Sequence, residues 1–138
     1  MKTTHAKPGE SKARFVVQEH YARSRHFDFR LELDGVLKSW AVPKGISEKP
    51  GERRLAVAVE DHDVDYIDFE GEIEEGSYGA GQVKIWDRGT YELVDRKPYK
   101  LVFNLKGGKL HGSYVILHTK DKLWLIMKMT KETAAEKE

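Results

Sequence analysis

Cysteine is missing altogether, which excludes disulfides and thiolate metal sites and leaves His, Asp and Glu as the strong ligands for any transition metal. Six histidines keep such a site open. Long apolar runs are missing too: "LWLIM" at 123–127 falls far short of the ~20 residues a helical membrane span needs. The charged start "MKTTHAKPGESK" holds no apolar signal-peptide core. The expectation is a soluble, cytoplasmic, monomeric protein without membrane contact. There is little excess charge of either sign, since 24 Lys plus Arg stand against 23 Asp plus Glu for a net +1. Any polyanion site must therefore be a local patch. Charge is nonetheless uneven: "EDHDVDYIDFEGEIEEG" at 60–76 is strongly acidic, while 12–30 and 96–109 lean basic.

What is present reads as one mainly β domain. At 138 residues with 39% hydrophobic content, the chain is long enough for a single core. Residues 1–13 are expected to form a flexible N-terminal arm, 14–130 the folded domain and 131–138 a charged tail. Ten short β-rich runs recur, each bounded by Gly, Pro, Asp or Asn: "RFVVQEH", "HFDFRLEL", "VLKSWAV", "RRLAVAVE", "YIDFEGEI", "GQVKIWD", "GTYELVD", "KLVFNLK", "GSYVILHT" and "KLWLIMKM". Glycine tolerates the positive φ of tight turns, so "LDGV" at 33–36, "DRGT" at 87–90 and "KGGK" at 106–109 signal hairpins. The predicted fold is a single-domain antiparallel β-barrel with one or two short helices, one around 19–25 and a weak one in the tail from 130.

One strand carries an unusual polar face. In "HYARSRHFDFRLELDG" (20–35), His26, Asp28, Arg30, Glu32 and Asp34 share one side, and Phe27, Phe29, Leu31 and Leu33 the other. Residues two apart on a strand face lie about 6.6 Å from each other, a separation one ion can bridge. His26 and Asp28 are thus candidate ligands, with His20 folding back from the loop as a third. Two imidazoles and a carboxylate suit a borderline divalent ion such as Mn, Zn or Fe and leave positions open for substrate. Arg30 supplies a planar fork for phosphate or carboxylate oxygens. A strand with a solvated face also alternates in this way, and for an isolated His-x-Asp that reading is favoured.

A second segment weighs against it. In "RRLAVAVEDHDVDY" the residues Arg54, Ala56, Ala58, Glu60 and His62 share one parity. If that face met His26 and Asp28, the alanines would floor a hollow rimmed by Arg54 and His62. Eight residues of straight strand would hold those two about 26 Å apart. A bulge or turn at "EDHD" is therefore required, and Tyr66 could follow it into the site. Weaker signals complete the inventory. "EGSYGAGQV" (75–83) lacks the Lys-Ser/Thr of a P-loop and is better read as turn. Trp40, Trp86 and Trp124 read as core, His111 and His118 as surface or packed histidines, and Lys44 as a solvated lysine within reach of a phosphate.

At this point the blocks "HYARSRHFDFRLELDGVLKSWAVPKG", "RRLAVAVEDHDVDYIDFEGEI" and "EGSYGAGQVKIWDRGTYE" strongly resemble the 3′-phosphoesterase domain of bacterial and archaeal DNA ligase D, over about residues 14–130. The resemblance implies an antiparallel barrel with a crescent-shaped groove, and a Mn-dependent phosphodiesterase and phosphomonoesterase. Such an enzyme removes a 3′-terminal ribonucleoside or a 3′-phosphate from DNA or RNA-DNA primer-template ends in non-homologous end joining. By motif position it implies metal ligands His20, His26 and Asp28, catalytic or phosphate-binding roles for Arg30, Arg54, His62 and Tyr66, and substrate contacts from Gln18 and Lys44. Mn2+ is the expected cofactor, with Zn2+ or Co2+ as substitutes. The N-terminal arm rich in Arg, Asp and Glu that ligase-fused members carry finds no match in "MKTTHAKPGESKAR". A stand-alone form working with a separate DNA ligase is expected. Two other classes remain open on the residues alone. One is a non-haem iron oxygenase whose triad adds His111 or His118. The other is a noncatalytic nucleic-acid-binding barrel that stacks bases on Tyr21 or Tyr78.

Overall fold

The computed structural model describes residues 13–74 and 80–130. Nine strands lie within them: β1 (Arg14–Tyr21), β2 (Arg25–Leu33), β3 (Val36–Val42), β4 (Arg54–His62), β5 (Gly71–Ile73), β6 (Gly81–Lys97), β7 (Lys100–Gly107), β8 (His111–Lys120) and β9 (Leu123–Lys128). One 3-10 helix, Val64–Asp68, stands between β4 and β5. Pairing follows β1-β2-β3-β4-β9-β8-β7-β6 and closes through β6 with β1, so eight antiparallel strands make a barrel. Closure leaves no open edge among the eight, and β5 pairs with the first residues of β6.

Period-2 alternation sorts each strand between two environments. Phe15 and Val17 of β1, Phe29 and Leu31 of β2, and Trp40 of β3 fill the barrel with Phe103 and Tyr114. Large side chains buried this way contribute about 1.5–3 kcal/mol each. The intervening residues Val16 and Leu37 pack instead with Ile67 of the 3-10 helix, in a second, smaller cluster on the outer side of the wall. The polar face of β2 belongs to this outer side.

Three local expectations are corrected. The segment 19–25 is not helical, because the β1–β2 ladder runs on to His20↔His26 and Tyr21↔Arg25 and leaves only 22–24 for the turn. "YIDFEGEI" is not one strand. Its first part is the 3-10 helix, held by Tyr66 N–H donating to Asp63 O and Phe69 N–H to Tyr66 O, and only Gly71–Ile73 is strand. "DRGT" is not a hairpin, since β6 continues through it for 17 residues. Gly89 is there for a different reason: a Cβ at that position would lie 2.0 Å from the Lys106 carbonyl oxygen across the β6–β7 ladder. The helical tail expected from 130 lies outside the described residues. "LDGV" does turn, with Asp34 at φ 57 and Gly35 at φ 80.

The β7–β8 turn at "KGGK" is fixed by a buried carboxylate. Asp87 accepts from the backbone N–H groups of Gly108 (2.8 Å), Lys109 (3.0 Å) and Leu110 (2.8 Å). Gly107 leaves room for it, since a Cβ there would meet Asp87 Oδ2 at 2.5 Å. Asp87→Ala removes three charge-assisted bonds and strands the buried Leu110 donor. The expected loss is about 3 kcal/mol of stability, measured by urea denaturation with an unchanged m-value.

Candidate metal centre

His20, His26 and Asp28 come together where the β1–β2 ladder ends. His20 and His26 are cross-strand partners and Asp28 is two residues on along the same face. One ligand atom from each of the three lies within 4.8 Å of the others. Asp28 Oδ1 is 3.3 Å from His26 Nε2, Asp28 Oδ2 is 3.5 Å from His20 Nδ1, and the imidazole centroids are 4.8 Å apart.

The donor chemistry of this cluster fits a divalent cation. A carbonyl can only accept, so the 3.1 Å contact of His26 Nδ1 with Ser24 O is an N–H donation that orients the ring and leaves Nε2 facing Asp28. Nε2 and a carboxylate oxygen then converge with electron pairs on both, an arrangement that holds a proton or a metal ion between them. The hydrogen bond to Asp28 accordingly raises the His26 imidazolium above its ordinary range. Burial pushes the Asp28 carboxyl up, but the His26 bond and the Arg30 charge outweigh it, and the net direction is down. Asp28 is thus a carboxylate that stays ionised in a nearly closed site, 7% exposed.

Arg30 is the hub behind these ligands. Only 4% exposed, it donates from Nε to Gln18 Oε1 (2.6 Å) and from Nη1 to Ser39 Oγ (2.8 Å). Its Nη2 lies 3.5 Å from Asp28 Oδ2, its Nη1 3.2 Å from His62 Nδ1, and its guanidinium carbon 5.0 Å from the Tyr66 ring centroid. Burial lowers the Arg30 pKa, and the Asp28 carboxylate opposes that effect. Gln18, fully buried, donates its amide N–H groups to Tyr66 O (3.0 Å) and Phe69 O (3.2 Å). It thereby ties the 3-10 helix down over the outer face. Tyr66 then stacks on Phe69 with centroids 4.9 Å apart and lies 4.7 Å from His62, and burial raises its phenol pKa. A cleft of about 340 Å³ opens onto the ligand cluster, lined also by Arg30, His62 and Tyr66.

The second expected segment arrives differently. Ala56 and Ala58 belong to the barrel core, and Val59 with Ala41 of β3 lines the cleft, so the predicted parity of β4 is reversed. His62 is re-aimed by a bulge: Ser39 pairs with Val59 but Leu37 with His62, two steps on β3 against three on β4. The bulge expected at "EDHD" therefore exists, slightly earlier, and brings His62 to the ligand cluster. It does not bring Arg54. That residue donates to the carbonyls of Lys44 and Gly45, the latter at 3.1 Å, and pairs with Glu52 at 3.3 Å, at the opposite end of β4. Lys44 is exposed beside it and does not line the cleft. His118 sits on Asp121 O at 2.7 Å and His111 opens β8, and neither joins the ligand group found among the described residues. Tyr21 is 41% exposed, and Tyr78 lies outside the described residues.

The chain matches the family described as the DNA Ligase D 3′-phosphoesterase domain over residues 18–118. It belongs to that family. Relatives of this phosphoesterase-family chain include the multifunctional non-homologous end joining DNA repair protein LigD of Mycobacterium tuberculosis, 48% identical over 115 residues, which cover 80% of this chain and 15% of that protein. The LigD of Pseudomonas aeruginosa is 49% identical over 124 residues, covering 83% and 15%, and that of Mycolicibacterium smegmatis 43% over 136 residues, covering 91% and 18%. The chain thus spans less than a fifth of the length of these relatives. Within this ligase D 3′-phosphoesterase fold, sequence reasoning passed over Ser39, which accepts from Arg30. A signal existed, because Ser39 is the lone hydroxyl in the strand run "VLKSWAV".

Proposed function

We propose that this protein is a metal-dependent 3′-end-processing phosphoesterase acting on nucleic acid. It removes a 3′-terminal ribonucleoside or a 3′-phosphate and so prepares ends for a DNA ligase in non-homologous end joining. The observation that carries the reading is the meeting of three ligand side chains with the Arg30–His62–Tyr66 group in one cleft. Family membership supports the same class of chemistry.

In this reading His20, His26 and Asp28 hold the cation, Mn2+ by preference, with Zn2+ or Co2+ as substitutes. A bound divalent ion supplies Lewis acidity, drawing charge from a nonbridging phosphate oxygen. The chain's own groups do the rest. His62 Nδ1 meets both Arg30 Nη1 at 3.2 Å and the Glu60 carbonyl at 3.1 Å, contacts that orient the ring and leave Nε2 as the nitrogen turned to a second phosphate oxygen. Polar groups fixed in this way before substrate arrives are worth more in a partly closed cleft than in water. Gln18 and Tyr66 act by position: the glutamine holds the 3-10 helix, and the tyrosine ring walls the phosphate against His62 and Arg30. Arg54 and Lys44 are engaged or exposed outside the cleft, and no contact with the scissile phosphate is assigned to them.

The test is a labelled primer-template ending in one ribonucleotide, incubated with Mn2+ and resolved on a sequencing gel. A strand shortened by one nucleoside, ending in phosphate and then hydroxyl, is expected. An uncut strand under Mn2+, Zn2+ and Co2+ alike would refute the reading. A Gln18→Leu variant keeps the side-chain volume and loses both carbonyl contacts. Its turnover should fall about tenfold or more in the same assay, because the wall formed by Tyr66 loosens.

A further inference from the structure

The cleft is lined in two ways. Asp28, Arg30 and Glu60 are its charged members, with Arg30 its only cation apart from the histidines, whereas Ala41 of β3 and Val59 of β4 line it with aliphatic groups. Strand register shows where the aliphatic part leads. Ala41 is the cross-strand partner of Asp28 on one side and of Val57 on the other, and Val57 is in turn the partner of Leu123 of β9. Directly paired residues project to the same face of a sheet, so Ala41, Val57 and Leu123 stand with Asp28 on the outer side of the wall. Their neighbours Trp40, Ala56 and Trp124 turn the other way and pack in or against the core. Val59 shares the outer face with Val57, two residues on along β4, and its partner is Ser39, which holds Arg30.

An aliphatic shelf therefore continues outward from the candidate metal ligands without a break in the ladder. Neighbouring strands lie ~4.8 Å apart, which sets Ala41 about 5 Å and Val57 about 10 Å from the Asp28 position. Ala41, Val57 and Val59 are half-buried and Leu123 is 40% exposed, so the shelf is open to a ligand that enters the cleft. Its chemistry suits one part of the substrate. The scissile phosphate needs Arg30 and the cation, but the nucleoside beyond that phosphate carries no charge. Its base has one face with no stacking neighbour, whether or not its edge is paired to a template. An uncharged surface beside the phosphate position matches that open face, and a phosphodiester backbone laid on it would find no cation.

We propose that the shelf formed by Ala41, Val57 and Val59, continued by Leu123, seats the 3′-terminal ribonucleoside that is to be removed, the open face of its base against the aliphatic side chains and its 5′ phosphate in the Arg30–His62 corner. This rests on the end-processing reading above and deepens it by separating the two activities. A strand that ends in a 3′-phosphate has nothing beyond that phosphate, so the shelf serves nucleoside removal and leaves phosphate removal to the ionic part of the cleft. Aliphatic contact with a base face involves no hydrogen-bonding edge, so the seat accepts any of the four bases.

The test measures kcat/KM of the full chain with Mn2+ on primer-templates that differ only at the primer 3′ end: a terminal ribonucleotide, the same terminal ribose carrying hydrogen in place of its base, and a 3′-phosphate. In the wild type, removing the base should lower kcat/KM by about fivefold or more, the effect of losing one buried base face. Val57→Ser should lose about threefold more on the ribonucleotide end than on the base-free end or the 3′-phosphate end, and Val57→Ile should recover that difference. Equal wild-type values with and without the base, or a Val57→Ser loss of the same factor on all three ends, would overturn the shelf and leave the end-processing reading standing. A wild-type protein that processes none of the three ends would overturn that reading, and the shelf with it.

Discussion

His26→Ala is expected to lose at least about 10³-fold in Mn-dependent 3′-end processing while its far-ultraviolet circular dichroism stays that of the wild type. The size follows from what the proposed function removes: one of three side chains that would hold the cation, whose Lewis acidity would be worth several kcal/mol at about tenfold per 1.36 kcal/mol. The fold should survive because His26 lies near the hairpin end of the β1–β2 ladder, partly exposed, and takes no part in either the barrel core or the Val16–Leu37–Ile67 cluster. Turnover of the 3′-ribonucleotide primer is the measurement. Activity near wild type would remove His26 from the metal set.

Arg30→Ala is expected to cost about 3–5 kcal/mol of stability and lower the melting temperature by about 10 °C or more. The arginine is nearly closed off from water and holds four partners at once: Gln18, Ser39, His62 and Asp28. Removing it leaves the Asp28 carboxylate buried beside two imidazoles with no permanent cation, and it frees Gln18 Oε1 and Ser39 Oγ inside the wall. Arg30→Lys should recover little, because one ammonium cannot reach Gln18, Ser39 and Asp28 with the spacing of a planar fork. Differential scanning calorimetry without metal reads this effect apart from metal binding. A melting temperature for Arg30→Ala within a degree or two of wild type would contradict the hub role.

The strand that carries two of the candidate ligands was legible because β2 obeys a strict period of two from His26 to Leu33, so one reading of parity assigns both faces. In sequence His20 reads only as a loop residue that folds back; it is the β1–β2 hairpin, where a helix was expected, that sets it across from His26. The β4 face was not legible. Alanine suits the floor of a polar hollow and equally a tight core seat under Trp40 and Phe29, and Ala56 and Ala58 take the core seat. The bulge before His62 then reverses parity again, so His62 reaches the cleft by a route the straight-strand pattern could not supply. The 3-10 helix over the cleft was hidden for another reason: its carbonyls are held by Gln18, 48 and 51 residues earlier, and no local pattern records such a contact. Gly89 shows the same limit, since a glycine that permits close strand approach and one that makes a turn look alike in sequence.

The central claim is that His20, His26 and Asp28 bind one divalent ion, and a crystal of the protein soaked in Mn2+ tests it most directly through anomalous scattering. The account predicts one strong peak within coordination distance of a nitrogen from each histidine and an oxygen of Asp28, on the side of the cleft that faces His62. A peak held by other residues, or none between these three at saturating Mn2+, would contradict it.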